Sequence, residues 1–367
     1  MQEQLRTQPA LMKVGLVLGA GGVVGAAWLI GALEALACET GWDPGSADVI
    51  AGTSAGSVVG SLIADGIAPE YLAAYTSGRT LDEVEDVDGR VAALAARVGG
   101  PEVLDDVAQR LSGDQFRLHL AFPPIGPGSW RLALSTLRNP TRHAPAAVLA
   151  GWLPRGFVST RPISDLVETF VARDWPDHSD FWAVAADYRT GRRMVFGRRD
   201  APPTTIGPAV AASCAIPGFY HPVSLGGRRY VDGGICSMSN LDLLADADLD
   251  LVVCLNPTSS VAEALGGTPA ERVGAAMRVL SGRRLGHEAR KLRAAGTEVL
   301  LIQPSAEDVS AMGVNLMARG RRVDVLERAR RSTALALRDL RGTDQLMPPR
   351  TRRAGEAVLP AAERKAA

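Results

Sequence analysis

Two short apolar runs, each ending in a glycine-rich turn and leading straight into a helix-forming stretch, occupy residues 13–65. Lys13 to Leu18 alternates and reads as a strand, Gly19 to Gly25 as a glycine loop, and Ala26 to Cys38 as a helix. Ala47 to Ala51 reads as a second strand. It runs into Gly52-Thr53-Ser54-Ala55-Gly56 and then the helical stretch Ser57 to Asp65. A strand, turn and helix repeated back to back is the opening of a parallel α/β sheet.

The segment Val14 to Leu33 carries no charge and is long enough to cross a bilayer. Arg6 and Lys13 precede it, and Ala35-Leu36-Ala37-Cys38 faintly resembles a lipoprotein cleavage site, so a secretory leader competes with the strand–loop–helix reading. Glycines at 15, 19, 21, 22, 25 and 31 weaken a single spanning helix and favour a strand, a tight loop and a helix. On that reading the expected location is cytoplasmic. Cysteines 38, 214, 236 and 254 form no CxxC pair, as expected of small apolar core residues in a reducing compartment, and no zinc-type spacing is present.

Apolar residues make up 46% of the chain and charged residues 22%, the balance of a globular protein with a sizeable core. Forty basic residues cancel forty acidic ones, so no global field draws in nucleic acid. The segment Leu81 to Asp106 is acidic, and the chain after Glu271 is Arg-rich. That basic stretch reads either as solvated helix faces or as a face that touches anionic lipid at a membrane surface.

Residues 1–12 read as a loose tail, 13–303 as one α/β domain, 304–344 as a C-terminal helical extension and 345–367 as a disordered tail. Residues 69–112 read as helical. The stretch 118–156 holds prolines at 123, 124, 127, 140, 145 and 154, with Phe122, Trp130 and Trp152 among them. It reads as an insertion packed on the core, a cap or rim over an apolar cleft, or a surface that dips into lipid. Further on come a helix over Arg161–Arg173, a hairpin around Thr190-Gly191, a short helix over Thr205–Ser213 and strands around Gly226-Gly227. Leu251–Leu255 and Glu298–Ile302 read as strands. Pro269–Ala294 reads as a long helix with Val273, Met277 and Leu280 on one face, and Arg319–Leu340 as a last helix with Val323, Leu326, Thr333, Leu337 and Leu340 on one stripe.

Three pieces carry chemistry. Gly52-Thr53-Ser54-Ala55-Gly56 is a G-x-S-x-G between a strand and a helix, the setting in which a serine projects from a strained turn toward a substrate. A serine that merely caps the helix is the plainer alternative. Gly19-Ala20-Gly21-Gly22-Val23-Val24-Gly25 follows the first strand. Such a loop presents backbone amides either to phosphate or to the oxyanion of a tetrahedral intermediate. Its G-x-G-G-x-x-G spacing, and a second strand that ends in the serine turn rather than in an acidic residue, disfavour a dinucleotide; no Lys-Ser/Thr pair follows to make a P-loop. The third piece is Tyr230-Val231-Asp232-Gly233-Gly234, an aspartate at a strand end followed by two glycines. By itself it is an ordinary turn.

In that order the three pieces resemble the patatin-like phospholipase family, over about residues 14–303, and Ala211-Ala212-Ser213-Cys214-Ala215-Ile216-Pro217-Gly218 resembles a segment found before that family's aspartate. The resemblance implies a three-layer α/β fold with a mostly parallel central sheet and helices on both faces. It implies a Ser54–Asp232 dyad cleaving esters of an acyl-lipid substrate through an acyl-enzyme, with no metal or organic cofactor. The amides of Gly21, Gly22 and Val23 would form the oxyanion hole, with Gly19, Gly25, Gly52, Gly56, Gly233 and Gly234 supporting the motifs. A triad using one of the five histidines, at 119, 143, 178, 221 and 287, stays open. The family usually carries Arg or Lys before the loop's last glycine, where this chain has Val24. That departure bears on headgroup binding and loop anchoring, and it is the feature favouring a catalytically weak lipid-binding protein on the same fold.

Overall fold

Strands β1 (Val14–Leu18) and β2 (Val49–Thr53) are buried along their whole length, as continuous apolar runs inside a parallel sheet must be. The computed structural model describes residues 12–78, 126–138, 145–171, 173–178, 180–260, 268–341 and 347–349. The expectations for the two tails, the acidic stretch Leu81–Asp106, most of the helical reading of 69–112, and Phe122 lie outside those residues, apart from 12 and 347–349 in the tails.

The remaining strands are β3 (Phe181–Asp187), β4 (Arg193–Phe196), β5 (Val223–Leu225), β6 (Arg228–Asp232), β7 (Leu251–Leu255) and β8 (Glu298–Ile302). The sheet runs β5-β6-β3-β2-β1-β7-β8, with β4 paired to β3. Neighbours from β3 to β8 along that path are parallel, whereas β4 and β6 run antiparallel to β3. The result is the mostly parallel α/β sheet with surrounding helices that the strand–turn–helix units foreshadow.

The helices are α1 (Gly22–Thr40), α2 (Ala55–Ala64), α3 (Pro69–Ser77), α4 (Trp130–Arg138), α5 (Pro145–Trp152), α6 (Arg161–Phe170), α7 (Ile206–Ser213), α8 (Pro269–Ala294), α9 (Ala306–Met312) and α10 (Arg322–Leu340). The uncharged stretch that raised the prospect of a membrane span is β1 and most of α1, and α1 is largely buried. Its fully buried Trp28, Leu29, Leu33 and Leu36 join one core with Val325, Leu326, Ala329 and Leu337 of α10. The two helices cross closely because Gly31 has no side chain: a Cβ there would stand 2.3 Å from the Leu326 carbonyl oxygen. Helix α10 therefore shares the core of the domain it follows.

One expected boundary is corrected, and further elements gain detail. The first glycine loop is shorter than Gly19–Gly25, because α1 already starts at Gly22. In the proline-rich stretch Pro145 does not break structure. It occupies the first position of α5, where a helix leaves its amides unpaired and a missing N–H costs nothing. On α8 the stripe Val273, Met277 and Leu280 points outward, at 65%, 52% and 58% exposure, while Leu285, Ala289 and Leu292 one to three turns later make the core contact. The stripe predicted on α10 holds at Leu326, Thr333 and Leu337, whereas Val323 is exposed.

Candidate active site

Ser54 sits where β2 gives way to α2, with φ 53° and ψ −121°. That left-handed conformation is strained for a residue with a side chain. The turn closes so tightly that a Cβ on Gly56 would lie 2.0 Å from the Leu18 carbonyl oxygen, which accounts for the last glycine of the motif. Gly52 lies in β2, under the same turn, and a Cβ on it would meet the Gly56 carbonyl at 2.4 Å. Polar groups on three sides hold the elbow. The Ser54 amide donates to the Ser213 hydroxyl at 2.9 Å, and Ser213 donates in turn to the Val184 carbonyl at 2.6 Å. The Ser57 hydroxyl donates to the Ser54 carbonyl at 2.7 Å. Ser54 is not a simple cap, since its side chain makes no capping bond to α2.

Asp232 ends β6, which lies against β3 in the register Ala185 opposite Asp232. On the same edge of β3, one residue earlier, Thr53 stands opposite Val184, while β4 occupies the other edge. Strand pairing thus brings the ends of β2 and β6 together, side by side on one edge of β3. The Asp232 amide donates to the Ala215 carbonyl at 3.0 Å, and Gly234 donates its amide to the Asp232 carboxylate at 2.7 Å. That second bond is the work of the glycine pair: Gly233 and Gly234 wind into a short 3₁₀ turn that aims an amide back at the carboxylate. The carboxylate is buried and faces the Ser54 hydroxyl. Burial pushes its pKa up to about 6, while weaker hydrogen bonds from Ser54 and the Gly234 amide pull it back down. No histidine is a partner of Ser54 or Asp232 among the described residues; His119 and His143 lie outside them.

The glycine loop divides its amides. Gly19 donates to the Leu255 carbonyl at 2.9 Å, Ala20 to Met238 at 2.8 Å, Val24 to Leu316 at 2.9 Å and Gly25 to Gly21 at 2.9 Å. Among the described residues the amides of Gly21, Gly22 and Val23 have no protein acceptor, as the first turn of a helix leaves them. Gly22 has φ 61°, and a Cβ there would press on the Leu316 carbonyl at 2.8 Å. Val24 is fully buried and its backbone is anchored by Leu316, so the loop is fixed here without a basic side chain at that position.

Gly22, Val23 and Ser54 share the wall of a cavity of about 240 Å³. It runs along α1 past Ala26 and Ile30 and along α2 past Val58 and Leu62, toward Leu72, Tyr75 and Phe170. Its charged lining residues are Arg319 and Arg322. The apolar groove starts at Ser54 and follows two helices for two turns, about 12 Å at 1.5 Å per residue.

Two site residues escaped the sequence reading. Ser213 lies inside the segment singled out beside the aspartate, but nothing local marks its bond to a residue far upstream. Asn240, fully buried and left-handed at φ 52°, donates from one amide group to Thr53 Oγ1 at 3.0 Å, the Ser237 carbonyl at 2.6 Å and the Gly233 carbonyl at 3.4 Å. It ties the strand that leads into Ser54 to the turn that follows Asp232. Behind it, Glu288 of α8 accepts from the Ser239 hydroxyl at 2.6 Å and the Leu241 amide at 3.1 Å, and is paired with Arg284 at 2.7 Å.

A sequence profile of the patatin-like phospholipases matches residues 16–245, a span that includes the glycine loop, Ser54, Asp232 and Asn240. The chain belongs to the patatin-like phospholipase family. Among solved structures it is similar to the type III effector protein ExoU, at 17% identity and a TM-score of 0.33, with 89% of this chain covered; the match spans 53% of ExoU's length. It is similar as well to VipD from Legionella pneumophila, at 13% identity and a TM-score of 0.36, covering 89% of this chain and 67% of VipD. No curated protein sequence matches the chain.

Proposed function

We propose that this patatin-like protein hydrolyses carboxylic esters of acyl lipids with Ser54 as nucleophile and Asp232 as general base. The observation that carries the proposal is the pairing of a strained, left-handed Ser54 with a buried carboxylate at the end of an apolar groove. Asp232 takes the hydroxyl proton as Ser54 Oγ attacks the ester carbonyl. The oxyanion is met by the free amides of Gly21, Gly22 and Val23. Collapse of the tetrahedral intermediate breaks the bond to the alcohol, which leaves with the proton that Asp232 returns, and the acyl group stays on Ser54. Water, deprotonated by the same carboxylate, releases the fatty acid.

An exposed aspartate is a weak base for an alcohol. Burial raises Asp232 to about 6 and so brings its basicity nearer the working pH. Preorganised amides supply the larger share: loss of one oxyanion donor in serine hydrolases costs about 10²–10³ in rate. Neither role asks for a metal or an organic cofactor.

Labelling by a fluorophosphonate probe tests the nucleophile. Wild type takes one probe at Ser54, and Ser54→Ala takes none. Labelling at any other serine, or none in the wild type, sinks the assignment.

A further inference from the structure

Helices α4 and α5 depart from ordinary surface helices, because their outward faces are apolar. On α4 the buried residues are Leu132, Ala133 and Thr136, while Trp130, Leu134 and Leu137, spaced i, i+4 and i+7, face out; Trp130 is 61% and Leu137 64% exposed. On α5 the buried residues are Ala147 and Ala150, while Leu149 and Trp152 face out. A helix apolar on both faces is normally covered on both.

Charge says what covers these. From Gln115 to Ser164 the sequence holds arginines at 117, 131, 138, 142, 155 and 161 and no aspartate or glutamate, in a chain whose basic and acidic residues balance overall. Arg131 and Arg155 flank the apolar stripe, are exposed, and have no ion pair among the described residues. Aromatic and aliphatic side chains framed by cations alone match the chemistry of an anionic lipid interface. The hairpin is also anchored to the active site. Its buried side packs on Val231 and Ile235, on either side of Asp232 and its glycine turn. The chain leaving α5 is stitched to the cavity's lip, with Phe157 and Val158 donating to the Phe219 carbonyl at 3.0 Å, beside cavity-lining Tyr220.

We propose that the α4–α5 hairpin is the surface by which the protein docks on an anionic bilayer, its exposed tryptophans and leucines entering the headgroup boundary and its arginines meeting lipid phosphate. The proposal draws its lipid from the hydrolase reading but is tested apart from it. Ser54→Ala protein, which cannot turn substrate over, is floated with vesicles of phosphatidylcholine alone and of an equimolar mixture with phosphatidylglycerol. The expected result is flotation with the anionic vesicles and much less with the neutral ones. Trp130→Glu with Leu137→Glu, added to Ser54→Ala, should weaken partition by about tenfold or more. Arg131→Gln with Arg155→Gln should weaken it chiefly on the anionic vesicles. Both pairs are solvent-exposed, so melting temperature and short-chain ester turnover in the Ser54-containing protein should stay unchanged.

Equal flotation of the Glu variant and its parent overturns the proposal. So does failure of the parent to float while Ser54-containing protein cleaves soluble esters. A Glu variant that converts a dimer to a monomer in sedimentation without altering flotation assigns the patch to a contact between copies, and overturns it too. Flotation as expected from a protein that cleaves no ester leaves the surface standing and removes the hydrolase reading.

Discussion

The amide of Ser54 is held by the hydroxyl of Ser213, 159 positions away in sequence, at 2.9 Å. Ser213 spends its single proton on the Val184 carbonyl and so can only accept from Ser54. The strained elbow is thereby clamped to the centre of β3, and the Ser54 amide is withheld from the proposed oxyanion hole. Replacing Ser213 by Ala leaves a buried N–H without a partner, at a cost of about 1–3 kcal/mol. The expected outcome for Ser213→Ala is a fall in kcat of about tenfold or more with KM for a soluble ester little changed, since the groove is intact. Steady-state kinetics beside a thermal melt checks this; a proportional rise in KM with kcat unchanged would show that Ser213 shapes binding rather than the nucleophile.

Asn240 works through an amide group that only donates, toward Thr53 Oγ1 and two carbonyls. Asn240→Asp replaces that donor by a carboxylate oxygen facing three acceptors in a buried site. It should therefore destabilise the fold more than Asn240→Ala, although it is the closer match in shape. Chemical denaturation of the two variants gives the order directly, and a more stable Asp variant contradicts the reading of the amide as a pure donor.

The pH behaviour of Asp232 has a definite sign. Its folded pKa, about 6, lies above the ordinary aspartate value of 3.8, because burial disfavours the charged form. Its contribution to stability is thus fully present below about pH 4 and is lost as pH rises through 6, to a total of about 3 kcal/mol. Activity runs the other way, since only the ionised carboxylate accepts the serine proton. The rate should climb with pH through about 6 and level off above it. Asp232→Asn removes the penalty and the base together. At pH 8 it should melt higher than wild type while turning over almost no ester. A variant that melts lower at that pH contradicts the burial argument.

The groove makes a prediction about chain length. Val58 lies one turn beyond Ser54 on α2 and contributes to the cavity wall. Val58→Trp should fill the groove near its start. Turnover of long-chain esters should fall about tenfold or more relative to acetyl esters, moving the optimum to shorter acyl groups. An unchanged length profile would place the acyl chain elsewhere.

Much of this was legible before any coordinates. Short apolar runs bounded by glycine turns and followed by helical stretches read as buried parallel strands, and glycines on both sides of Ser54 are what a tight elbow requires, so β1, β2 and the turn at Ser54 follow from local sequence. Asp232 became legible only in company with the other two motifs, because an aspartate before two glycines is an ordinary turn. Ser213, Asn240 and Glu288 were not legible at all. Their partners are set by strand order and helix packing, and no spacing rule links a residue in α7 to one at the end of β2. Within the stretch 304–344, read as helical, the bounds of α9 were not drawn although Ser305 and Asp308 carry its signal, a reciprocal capping box; the helix is too short for periodicity to show. The outward stripe on α8 misled for a different reason: periodicity identifies an apolar face but does not say which partner covers it.

Hydrolysis of p-nitrophenyl esters of graded acyl length by wild type, Ser54→Ala and Asp232→Asn tests the dyad most directly. The expected result is measurable turnover by wild type that rises with acyl length until the groove is full, and loss of nearly all of it in both variants. Substantial turnover by Asp232→Asn would mean that another base serves Ser54, and would contradict the dyad.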